Sequence, residues 1–181
     1  MLKKILLALA VVLVAFLIVV ATRPATYHVE RSLQMAAPAE TVYATIADFR
    51  EFPRWSPWSK RDPAMRTTVS TPPSGVGATY AWEGNKDVGK GRMTVTESSA
   101  PSRVRQRLEF IEPFASVADT GFDIKPAGQK ASMVTWSMDG TNNFMGKAFG
   151  IFMNMDRMIG KDFEEGLVNL KRFVESSSPR P

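Results

Sequence analysis

His28 is the only histidine in the chain, and there is no cysteine. These two facts remove most nucleophilic and metal chemistry. One imidazole cannot assemble the usual zinc or copper ligand clusters. Without a thiol there is no disulfide, thiol catalysis or lipoprotein-type acylation. A serine–histidine triad would need a serine and a carboxylate beside His28, and spacing places neither there. Glu97, Glu109, Glu112, Asp119, Asp123 and Asp139 are scattered, with no spacing that pairs two as acid and base, although a fold could bring two together. Gly89-Lys90-Gly91 lacks the following helix that a phosphate loop requires, so it reads as a hairpin or bulge. No catalytic residue, metal or cofactor is expected, and binding becomes the leading reading by elimination.

The residues suited to binding are aromatic rings and methionines, and strands must position them. Tyr27 to Met35 alternates and reads as a first strand. Further strands are expected at Met65–Thr71, Ala78–Glu83, Gly89–Ser98, Arg103–Glu112, Ala115–Lys125 and Ala131–Asp139, divided by proline- and glycine-rich turns. Short connections imply antiparallel neighbours. Alternation then assigns the faces. Arg103, Arg105 and Arg107 share a side that reads as a solvated outer face. Val104, Gln106, Leu108 and Phe110 share the other. Tyr80 with Trp82, Met93 with Val95, Phe122 with Ile124, and Val134 with Trp136 and Met138 complete a large inward set. It is either a packed core or the lining of a hydrophobic cavity, since methionine suits a pocket that adapts to its guest.

Helices frame these strands. Pro38-Ala39-Glu40 opens a helix running to about Asp48, with proline in its first turn. Phe52-Pro53-Arg54-Trp55-Ser56-Pro57-Trp58 reads as irregular, because prolines stop helices. At the end, Ala148, Phe152, Met155, Ile159, Phe163, Leu167, Leu170 and Phe173 recur at spacings of three and four and define one helical face. Unbroken from Asn143 to Glu175, this helix is roughly 50 Å long. Its first half holds Met145, Phe149, Phe152, Met153 and Met158, with Gly146 and Gly150 among them. That broad apolar arc on a glycine-weakened segment suits a pocket mouth or a membrane-contacting gate.

The chain opens on Lys3 and Lys4, then Ile5 to Ala21 carries no charge. As a helix this run is roughly 26 Å long, near the lower limit for crossing a hydrocarbon core of about 30 Å. Residues 1–23 read as a membrane anchor or a cleaved signal peptide, with the N-terminus in the cytoplasm and the rest exported, to the periplasm or the outer face of the membrane. Of the net charge of +5, the remainder of the chain keeps 20 basic and 18 acidic residues. A domain so near neutrality has no strong field for nucleic acid. Residues 24–176 are expected to form one domain, and 177–181, rich in serine and proline, a disordered tail.

Several segments taken in order resemble the polyketide cyclase/dehydrase-like branch of the START-related (SRPBCC) superfamily. They are Phe52 to Trp58, Tyr80-Ala81-Trp82-Glu83-Gly84-Asn85, Gly89 to Met93, Leu108 to Phe114, Val134 to Gly140 and Ile159 to Leu167. The resemblance covers about Tyr27 to Glu175. It implies an α+β helix-grip fold: a curved seven-stranded antiparallel sheet around a long C-terminal helix, with two short helices after strand 1. It also implies an elongated cavity for lipids, sterols, polyketides or other apolar molecules, and it transfers no catalytic residue. The expected lining is Tyr80, Trp82, Met93, Phe110, Phe122, Trp136, Phe149, Phe152 and Met153, with Trp58 near an opening and Gln106 orienting the guest. The expected partners are therefore a hydrophobic small molecule and, through the N-terminal helix, a membrane. Two alternatives stand beside binding: a cyclase or dehydratase using a buried carboxylate or Tyr80, and a structural module with a filled core.

Overall fold

The computed structural model describes residues 1–151 and 154–177. Helix α1 spans Leu2–Thr22 and, beyond Lys3 and Lys4 in its first turn, is apolar on all sides. It is exposed along its length except at Val20, and it is long and apolar enough to cross a membrane. It stops at Arg23, which turns extended ahead of Pro24.

Strand β1 covers Thr26–Met35. The next two helices follow from local sequence. In α2, Ala39–Ala47, Pro38 supplies the cap position, and Ala39, Val42, Ile46 and Ala47 form the buried face. The stretch expected to be irregular instead forms α3, Phe52–Trp55, and a 3-10 turn, Trp58–Lys60. Pro53 is tolerated there because the first turn of a helix does not use that N–H.

Six more strands follow: β2 Arg66–Val69, β3 Thr79–Glu83, β4 Lys90–Ser99, β5 Arg103–Glu112, β6 Ser116–Pro126 and β7 Ser132–Thr141. They form one antiparallel sheet in the order β1-β7-β6-β5-β4-β3-β2. The first and last strands are therefore neighbours, and the sheet curves around the C-terminal helix. Alternation delivers the expected faces: Val104, Gln106 and Leu108 are buried, while Arg103 and Arg107 are exposed. On the outer face Arg103 and Arg105 both bind Asp123, at 2.9 and 2.6 Å.

The long terminal helix is broken in two. Helix α4 covers Phe144–Phe149 and α5 covers Met155–Ser177. Each begins on an asparagine. Asn143 Oδ1 accepts from the Gly146 N–H at 2.8 Å, and Asn154 Oδ1 accepts from the Arg157 N–H at 2.9 Å. Asn154 thus starts a helix. In α5, Phe163, Leu167, Leu170 and Val174 are the buried stripe. Phe173, expected on that stripe, is half-buried, with the Arg54 guanidinium 4.4 Å from its ring centroid. Ser177 closes α5, and residues 178–181 of the expected tail lie outside the described ones.

Register fixes the two ends of the sheet. Thr26 faces Thr141, Ala118 faces Gly140, Phe110 faces Ser116 and Glu83 faces Lys90. The β3–β4 and β5–β6 turns, the start of α4 and the end of α1 therefore share one end. The β2–β3, β4–β5 and β6–β7 turns share the other.

Candidate functional site

A cavity of about 390 Å³ lies between the inner sheet face, the α3 segment and the first turns of α5. Strands β3, β4 and β5 contribute Tyr80 and Trp82, Met93, and Leu108 and Phe110. Strand β7 contributes Trp136 and Met138. Phe52 and Trp58 close one side, and Met155, Met158, Ile159 and Phe163 form the helical wall. Alternation explains the sheet contribution, since these residues fall at every second position.

The wall is fixed by ring contacts. Trp136 is edge-on to Trp55 and Trp58, each with its centroid 5.8 Å away. Phe122 lies 4.9 Å from it on the neighbouring strand. The Trp136 indole N–H donates to Thr120 Oγ1 at 3.1 Å, and that hydroxyl donates to the Ser137 carbonyl at 2.8 Å. A second row runs along β3, where Tyr80 lies 6.4 Å from Trp82 and Trp82 lies 6.1 Å from Phe110. Trp82 lies over Gly91, its cross-strand partner. A Cβ there would strike both the ring and the Glu109 carbonyl, so only glycine lets the indole lie across β4.

Polar groups are few. Arg61 and Asp162 line the cavity and form a two-pronged ion pair, with Nη1 3.2 Å from Oδ2. Asp87, Ser116, Ser56 and Thr120 add to the lining. Burial pushes the Tyr80 hydroxyl up to about 12, with Thr67 close enough to oppose part of that shift. The hydroxyl forms no well-aligned hydrogen bond among the described residues. At neutral pH it is thus a buried donor and not a base. Among the described residues no three histidine, aspartate or glutamate side chains converge in a way that could hold a metal ion.

Of the residues singled out from sequence, Trp58, Tyr80, Trp82, Met93, Phe110 and Trp136 come together around this cavity. Phe122 does not line it; it packs behind Trp136 and against Trp55, 5.9 Å away. Gln106 is buried on the inner face of β5 but also lies off the cavity. Phe149 is the last residue of α4, while Phe152 and Met153 lie outside the described residues. Sequence reasoning missed Arg61 and Asp162, whose pairing spans 101 positions. It also left His28 without a partner. Strand pairing sets His28 opposite Asp139, with Nδ1 2.7 Å from Oδ1, and Glu30 lies 3.4 Å from Nε2. This cluster is half exposed and lies outside the cavity lining.

Comparison with known proteins bears on this geometry. A family model described as polyketide cyclase/dehydrase and lipid transport matches residues 26–175. No curated protein matches the sequence. Among solved structures, protein CV1439 from Chromobacterium violaceum aligns with a TM-score of 0.58 at 17% identity, covering 84% of this chain and 99% of that one. A START superfamily protein from Mycobacterium smegmatis aligns at 0.56 and 15% identity, covering 83% and 99%. The di-domain aromatase/cyclase StfQ of the steffimycin biosynthetic pathway aligns at 0.60 and 13% identity, covering 84% of this chain and 51% of that one. At these identities the structures are similar in fold alone.

Proposed function

The chain belongs to the polyketide cyclase/dehydrase and lipid transport family, and from that premise we propose that it is a membrane-tethered domain that takes a hydrophobic, lipid- or polyketide-like molecule into its cavity. The observation that carries this reading is the cavity itself. Its volume of about 390 Å³ falls within the range of small-molecule sites. Its walls are aromatic rings and methionines, with a few polar groups for orientation. Apolar burial at roughly 25 cal/mol per Å² supplies the affinity. The tether is α1, and Lys3 and Lys4 in its first turn support an orientation with the domain on the exported side.

A catalytic reading rests on one observation, the buried and protonated Tyr80 hydroxyl at the cavity wall. It could donate to a substrate carbonyl during cyclisation or dehydration. Among the described residues the carboxylates of the lining are Asp87 and the Arg61-paired Asp162, and no histidine joins them, so binding is the preferred reading while catalysis stays compatible with the fold.

The test uses the full chain held in amphipol and titrated with a fluorescent fatty acid. Trp58, Trp82 and Trp136 sit on the cavity and act as energy donors. Saturable transfer at one site per chain is the expected result. Transfer that never saturates, or none, overturns the reading.

A further inference from the structure

Outside α1, the exposed large apolar side chains among the described residues are unevenly placed. Ile111, Phe114, Val117, Phe144, Met145 and Met158 gather at the end of the sheet where α1 leaves the domain. Only Val76 is exposed at the opposite end, and Val168 lies out on α5. Phe114, at the tip of the β5–β6 turn, is 74% exposed. Phe144 and Met145 open α4 and are 52% and 58% exposed. A soluble surface rarely concentrates apolar side chains in this way.

The occupant of this surface follows from two contacts. First, α1 touches α4, and the buried residue of α1 is Val20 in its last turn. A short apolar helix packed at the end of a membrane-length helix sits at headgroup depth when that helix spans. Second, Tyr27, Phe110, Ser116 and Met138 belong to the same end of the sheet and line the cavity. The cavity therefore approaches the surface where the apolar residues gather. Charges here are mixed: Lys86, Lys147 and Arg157 stand among Asp87, Glu112 and Asp119. Attraction to anionic headgroups is not the main force, and apolar insertion is.

The geometry points to a bilayer-docking surface formed by the Phe114 turn and helix α4, which seats the cavity's near end in the lipid interface. This inference rests on the reading of α1 as a membrane-spanning tether. It goes beyond the tether by specifying which face of the domain touches lipid.

The cysteine-free chain makes the test direct. Single cysteines replace Phe114, Met145, Val76 or Val12, and each carries an environment-sensitive nitrobenzoxadiazole label. The full chain is reconstituted into phosphatidylcholine/phosphatidylglycerol vesicles with and without doxyl-labelled phosphatidylcholine. The expected result is a blue shift and loss of fluorescence at positions 114 and 145, little change at 76, and little effect of added salt. The Val12 probe reports the tether alone. Quenching at 12 with 114 and 145 no different from 76 overturns the docking surface and leaves the tether standing. Quenching at 114 and 145 without quenching at 12 supports the docking and removes the tether. No quenching at any position overturns both. Cavity uptake is read separately by the fatty-acid titration, so its failure is not mistaken for this one.

Discussion

Phe163 on α5 lies flat against Trp136 on β7, with ring centroids 4.2 Å apart and planes within 7° of parallel. This stack joins the terminal helix to the sheet and forms one wall of the cavity. It makes Trp136 both a core residue and a lining residue. Trp136→Ala should lower stability by about 3–5 kcal/mol, as expected for removing a buried ring. Trp58 also lines the cavity but is only half-buried. Trp58→Ala should therefore weaken fatty-acid uptake at a much smaller stability cost. Urea denaturation beside the energy-transfer titration separates the two effects.

Gly166 permits the stack. A Cβ at that position would sit 2.6 Å from the Trp136 ring and 3.3 Å from Pro57. Glycine-to-alanine inside a helix normally gains about 1 kcal/mol. Here overpacking against a ring already held by its neighbours costs about 1–3 kcal/mol. Gly166→Ala should lower the thermal midpoint, and a raised midpoint would show that α5 can shift away from the sheet.

Arg31 holds the start of α5 to β1. Its Nε donates to Glu164 at 2.8 Å and its Nη1 to Asp156 at 2.9 Å. Met155, Met158 and Ile159 in that same stretch line the cavity. Arg31→Met should speed amide exchange from about residue 155 to 164 and shorten ligand residence. Unchanged exchange there would show that apolar packing alone holds the wall. The guanidinium also keeps the Asp156 carboxyl below its usual range, chiefly through their hydrogen bonds. That contribution is present above the ordinary aspartate value of about 4. It is lost as pH falls through the depressed folded value, so the Arg31 effect should fade in acid.

His28 gives a second pH dependence of opposite sign. Its hydrogen bond with Asp139 raises the imidazole above its ordinary value, against a smaller lowering from desolvation. The protonated form is favoured in the fold. Its contribution is full below the unfolded value of about 6.5 and is lost as pH rises through the folded one. As the only histidine, it should give one titrating imidazole in NMR spectra, with a midpoint above about 6.5. Asp139→Asn should bring that midpoint down.

Tyr80→Phe removes a buried donor at the cavity wall. If a polar head of the guest accepts from it, affinity for a fatty acid should fall by up to about tenfold, the worth of one hydrogen bond. Affinity for a pure hydrocarbon probe should hold. Equal loss for both would mean that the ring's packing, and not its hydroxyl, matters.

The sheet was largely legible from sequence because a period of two reads directly as in and out. Arg103–Glu112 has the same bounds in the structure as in the sequence reading. What alternation cannot give is depth. Phe122 and Trp136 both point inward, yet one ends up behind the other, because neighbouring strands decide which ring faces the cavity. Pairings between distant segments were illegible for the same reason: His28 meets Asp139, and Arg61 meets Asp162, only once register and curvature are set. The break between α4 and α5 did leave a signal. Asn143 and Asn154 are cap residues, but the apolar period running through them was strong enough to hide it.

Three residues, Arg23, Pro24 and Ala25, join α1 to β1. Fully extended they reach about 10 Å, and proline stiffens them further. On the tethered reading, a leash that short does not let the domain swing, turn over or sample a second membrane. The cavity then exchanges with the lipid directly beneath it.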